Sequence, residues 1–147
     1  MERILCAIDR SEPSLRAAKL AMNLAERCKA ELLLLNVVPA LDTTQRDLSE
    51  YLRREHEQEA PAVAVSEAAQ DELRRFGDWM ATQGNVATQC EIRFGEAASE
   101  IVSSAKDHAI DLIVVGHRGQ NRLARLLLGS VARKVVDTAP CPVLVVH

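Results

Sequence analysis

The sequence predicts an α/β protein built on an open, parallel, twisted sheet with helices on both faces. Three observations carry this. Short apolar runs recur without polar alternation at 4–8, 32–38, 112–115 and 142–146, and such runs suit strands buried on both faces. Segments of helical spacing lie between them, and strand–helix alternation implies parallel strands joined by right-handed crossovers. The length, 147 residues, fits a single domain spanning 1–147. Such a domain buries roughly 68–70% of its unfolded surface and needs no disulfide or metal staple.

Each element follows in turn. Residues 4–8 form the first strand. Ser11 caps the next helix, which has Glu12 and Pro13 in its first turn. Leu15, Ala18, Met22 and Ala25, spaced by threes and fours, make its expected buried face. Residues 32–38 form the second strand. The connection from Leu41 to Gly84 is long. It holds a charged insertion at 42–60, and Pro61 then opens a helix running to about Thr82. Val86, Thr88, Cys90, Ile92 and Phe94 alternate with Gln89, Glu91 and Arg93, the pattern of a half-exposed strand at a sheet edge. Gly95 precedes a helix with Ala98, Ile101, Val102 and Ala105 on one side. Residues 112–115 form the next strand. The last helix starts near Gly129-Ser130, turns Val131, Val135 and Val136 inward, and stops before Pro140, since the residue preceding a proline avoids helix. Residues 142–146 close a β-α-β-α-β-α-β-α-β order.

Composition excludes several function classes. Lys and Arg number 18 against 21 Asp and Glu, a net charge of −3, which disfavours wholesale attraction to nucleic acid or anionic membrane. Aromatics are 3% (Tyr51, Phe76, Trp79 and Phe94), too few for a single-strand stacking surface. No apolar run reaches the 18 or so residues of a membrane span. Met1-Glu2-Arg3 leads straight into a short apolar run, so no secretory leader is expected. Cys6, Cys28, Cys90 and Cys141 form no C-x-x-C pair and lie in or beside apolar segments. They read as buried, reduced thiols of a cytoplasmic protein. His56, His108, His117 and His147 lack metal-ligand spacing.

The informative segment begins where the 112–115 strand ends. It reads Val115-Gly116-His117-Arg118-Gly119, then nine residues, then Gly129-Ser130-Val131. Glycine lets backbone N–H groups come close to a ligand. Gly129-Ser130 then opens a helix, whose free N–H groups and positive dipole end attract phosphate. Arg118, Arg122, Arg125, Arg133 and Lys134 fall between Gly116 and Val136 with no acidic residue among them, a local anion site in a chain of negative net charge. This is neither a G-K-[ST] phosphate loop nor a G-x-G-x-x-G fingerprint. No G-x-S-x-G elbow is present.

The G-x2-G-x9-G-[ST] spacing resembles the universal stress protein family, in particular its ATP-binding subclass. So do the closing Ala139-Pro140-Cys141-Pro142-Val143-Leu144-Val145-Val146, the opening strand followed by Asp9 and Ser11, and Asn36-Val37-Val38. The resemblance covers the whole chain and implies a five-stranded parallel sheet of order 3-2-1-4-5, the adenine nucleotide alpha hydrolase-like fold. Ligands of such sheets sit beyond the strands' carboxyl ends, where strand order reverses. By position, the resemblance implies that Ala7, Ile8 and Asp9 line the adenosine part of a pocket, and that Val37 offers its backbone to adenine. It further implies that Val115, Gly116, Arg118 and Gly119 approach ribose and phosphates, and that Gly129, Ser130 and Val131 hold the phosphates. The family often carries Gly or Phe after the aspartate, where this chain has Arg10.

The expected ligand is ATP, with Mg2+ held through the phosphates and water. The expected assembly is a homodimer through the C-terminal strand. The alternative is a dimeric interaction module of the same fold that binds no nucleotide. A slow ATPase lacks an evident general base, so turnover would be incidental.

Overall fold

A computed structural model of the chain describes residues 1–39, 70–71, 73–80, 82, 84–118 and 128–147. The 42–60 insertion, most of the helix expected from Pro61, and Gly119, Arg122 and Arg125 lie outside the described residues.

The elements are β1 (Arg3–Ala7), α1 (Glu12–Cys28), β2 (Glu31–Val38), α2 (residues 73–80), β3 (Thr88–Phe94), α3 (Ala97–Asp107), β4 (Leu112–Gly116), α4 (Ser130–Thr138) and β5 (Val143–Val146). The five strands form one sheet of order β3-β2-β1-β4-β5, and every pairing is parallel. Strand order reverses between β1 and β4.

The continuous apolar runs divide between the two faces with period two. Ile4, Cys6, Leu32, Leu34, Leu112 and Val114 face α1 and α2. Leu5, Leu33, Leu35, Ile113 and Val115 face α3 and α4. This is why the runs show no alternation: both faces are core. Ala17, Ala18, Ala21 and Ala25 of α1 are fully buried, small residues that let the helix lie close to the sheet.

Three expectations are corrected. In α1, Leu15 faces out at 37% exposure and Ser14 takes the inward place. The Ser14 hydroxyl donates to the Ser11 carbonyl at 2.9 Å and receives the Asp9 N–H at 3.3 Å, so a polar residue is satisfied there. In α4, Ala132 and Val135 point inward, whereas Val131 and Val136 are 37% and 47% exposed. That helix ends the layer above an edge strand and buries a narrow stripe. Among the cysteines, Cys6 is buried and Cys141 half-buried, but Cys28 and Cys90 are exposed. Burial pushes the Cys6 thiol up to about 12. Cys90 is exposed as a residue, yet its Sγ lies against α2, 3.6 Å from the Leu73 carbonyl, and burial raises its thiol pKa.

The edge strand β3 is half-exposed as its alternation implies, but its polar side is not simply solvated. Arg93 bonds Glu91 at 2.7 Å and Asp107 at 2.8 Å. Ser104 donates to Glu91 at 2.6 Å, and His108 Nε2 lies 3.3 Å from it. Burial pushes the Glu91 carboxyl up, but the bonds from Ser104 and Arg93 outweigh this and hold it below the usual range. This network ties β3 to α3.

Candidate nucleotide crevice

The crevice lies at the carboxyl ends of β1 and β4, where the strand order reverses. β1 stops early: its last register partner, Ala7, sits opposite Leu35, while β2 runs on to Val38 against β3. Val37, half-buried, therefore extends past the end of β1. The Ile8 N–H still donates to the Leu35 carbonyl at 2.8 Å, and Asn36 Nδ2 donates to the Ile8 carbonyl at 2.8 Å. The Asn36 side chain thus holds the Ile8 carbonyl just past the end of β1. Its signal in the sequence is a polar residue closing a run of leucines, which by itself names no partner.

Asp9 begins the turn into α1. Its Oδ1 accepts from the Ser11 N–H at 3.0 Å and from the Ser11 hydroxyl at 2.5 Å. Arg10, between them, has φ of 65°. That left-handed conformation costs an ordinary side chain energy and suits glycine. Ser11 caps α1 by accepting the Ser14 N–H at 3.3 Å. The expected cap is therefore the observed one.

At the end of β4, Gly116 lies against the first turn of α1. A Cβ there would meet the Pro13 carbonyl carbon and the Ser14 nitrogen at 2.9 Å, and backbone cannot yield cheaply. The chain then passes through His117 and Arg118, both half-buried. The Arg118 carbonyl lies 3.4 Å from the Ser11 hydroxyl. Val115 is 4% exposed, with its side chain in the core, so its backbone alone is available to a ligand.

α4 starts beside this loop. Gly129 donates its N–H to the His117 carbonyl at 2.8 Å. A Cβ on Gly129 would stand 3.1 Å from that oxygen and 3.2 Å from the Arg118 Cα, so glycine permits the close approach. Gly129 supplies no side-chain cap, and the first turn of α4 holds no acidic residue. The starts of α1 and α3 differ: α1 has Ser11 and Glu12, and α3 has Glu96 and Glu100. Ser130 and Val131 are exposed at the α4 start. The amide dipoles there meet no negative charge from their own turn, so an anion is favoured.

The structure thus gathers Ala7, Ile8, Asp9, Val37, Gly116, Arg118, Gly129 and Ser130 at one end of the sheet; Gly119 lies outside the described residues. A cavity of about 110 Å³ lies at the opposite end, lined by Arg3, Glu31, Gln89, His108 and Ile110 among others. Its polar groups already have partners: Arg3 pairs with Glu31 at 3.3 Å, and His108 Nε2 lies 3.3 Å from Glu91. It therefore offers an anion less than the crevice does.

A model described as the universal stress protein family matches residues 1–147. The chain belongs to the universal stress protein family. It is 37% identical to a universal stress protein of Methanocaldococcus jannaschii, covering 99% of this chain and 81% of that one. Among solved structures, the universal stress protein UspA from Lactobacillus plantarum is 32% identical, with a TM-score of 0.82 over 99% of this chain and 97% of the other. A universal stress protein solved in complex with cAMP is 26% identical, with a TM-score of 0.68 over 99% and 97% of the two chains. Membership of this family fits the sheet order.

Proposed function

We propose that this universal stress protein binds an adenine nucleotide, ATP with Mg2+, in the crevice between β1 and β4, and acts as a cytoplasmic regulatory homodimer. The observation that carries the reading is the α4 start, which is uncapped and packed directly on the 117–118 backbone. There the amides of Ser130 and Val131 and the Ser130 hydroxyl would meet phosphate. Gly116, Arg118 and Gly119 would border ribose and phosphates. Ala7, Ile8 and Asp9 would line the adenosine, with Val37 offering its backbone to the base. A relative of 26% identity holds a cyclic adenine nucleotide, which supports the ligand class.

Magnesium fits this donor set through the nucleotide rather than through the chain. Asp9 brings a carboxylate to the crevice, and its Oδ1 already accepts two bonds from Ser11. Among the described residues no three His, Cys, Asp or Glu side chains gather to hold a metal. The ion would keep phosphate oxygens and waters as its ligands, offsetting phosphate charge.

Dimerisation is proposed through β5. It pairs on one side, with β4, and all four of its apolar residues are half-buried. An apolar edge of this kind favours pairing with a second copy.

Calorimetric titration with Mg-ATP tests the nucleotide reading. Ser130→Ala removes one bond to a charged acceptor and is expected to cost about 1.5–3 kcal/mol of binding free energy. Gly129→Val, which forces a side chain against His117 and Arg118, is expected to abolish binding. Unchanged affinity in both variants would overturn the assignment.

A further inference from the structure

His117 joins three elements. Its N–H donates to the Val146 carbonyl at 2.7 Å, which fastens the end of β4 to the end of β5. Its carbonyl accepts the Gly129 N–H at 2.8 Å, so the start of α4 is held by the same residue. Its ring turns toward β5, with Nδ1 3.3 Å from the Val146 carbonyl. The ring also stacks on His147, with centroids 4.7 Å apart and planes inclined by 27°. The ring is thus committed to the last strand, while the backbone of the same residue borders the crevice.

We propose that His147 is a positioning residue for the crevice. By stacking on His117 it fixes the His117 backbone, and through that carbonyl it fixes the Gly129 amide at the start of α4. The strand ladder ends at Gly116 opposite Val146, so the next residue is held by its own bonds and by its ring. A loop whose donors must meet phosphate without rearranging gains affinity from such preorganisation. The effect on affinity rests on the nucleotide reading above. The brace itself is a property of the unliganded chain.

Amide hydrogen exchange and Mg-ATP titration of the same variants separate the two. In the unliganded protein, His147→Ala is expected to speed exchange at the His117 and Gly129 amides by about two- to tenfold, the worth of one stacked pair. Core amides such as that of Leu34 keep their rates. His147→Phe, which retains a flat ring, should restore the slow exchange. In the titration, His147→Ala should weaken Mg-ATP by a similar factor and His147→Phe should not. Wild-type exchange rates in His147→Ala would overturn the brace, as would equal acceleration by Ala and Phe. If exchange responds as stated but the unmodified chain takes up no Mg-ATP, the nucleotide reading falls and the brace stands.

Discussion

Glu96 closes the N-terminus of α3 and reaches α4 as well. Its carboxylate accepts the Ala98 and Ser99 N–H groups at 3.2 and 2.9 Å and pairs with Lys134 at 2.8 Å. The Lys134 ammonium, then Ser99, hold its carboxyl down at about 2. A carboxyl lowered on folding adds stability above its unfolded value, and that stability is lost as pH falls from about 4.5 to about 2. The pair is half-exposed, 53% on each side, so solvent screens much of the effect. Replacing Glu96 with Ala removes a helix cap and should cost about 1 kcal/mol near neutral pH. Urea unfolding at pH 6 and at pH 2 measures this: the gap between wild type and variant should shrink at the lower pH. An equal gap at both would refute the charge-based account. The sequence placed Gly95 before this helix, but a glutamate as cap was not legible, because glutamate is an uncommon cap and its partner Lys134 is 38 residues away.

The strands were legible because apolar runs bounded by polar residues leave little choice, and each observed strand begins and ends within about two residues of its expected bounds. The helix faces were less so. Spacing alone put Leu15 inside, yet the first turn of α1 lies so close to β4 that a Cβ added at Gly116 would stand 2.9 Å from the Pro13 carbonyl carbon and the Ser14 nitrogen, and the small Ser14 takes the inward place. Val131 and Val136 failed in the same way, since periodicity cannot tell that α4 covers an edge. Their exposure has a consequence. β5 and the outer side of α4 together present apolar residues at the sheet's end. Val145→Lys puts a charge on the proposed seam, and light scattering should then fall from twice the chain mass, about 32 kDa, to 16.2 kDa. A wild-type chain that is already monomeric at micromolar concentration would contradict the seam.

The molecule has one sheet with two unlike ends. At the amino ends of the strands, Arg3, Glu31 and His108 border a small cavity, Arg3 paired with Glu31 and His108 beside Glu91. At the carboxyl ends, beside the reversal of strand order, the backbone of Gly116, His117 and Gly129 lies with Asp9 and the start of α4. Much of that crevice was legible because glycines after a strand and a Gly-Ser helix start report backbone approach directly. The bracing by Asn36 and His147 was not, since it depends on contacts between residues far apart in the chain. Amide chemical-shift mapping during a Mg-ATP titration tests the central claim most directly. The largest shifts are expected at Gly116, His117 and Arg118 and at Gly129, Ser130 and Val131, with Arg3, Leu33, Gln89 and His108 unmoved. Shifts centred on Arg3 and His108, or none at millimolar Mg-ATP, would contradict it.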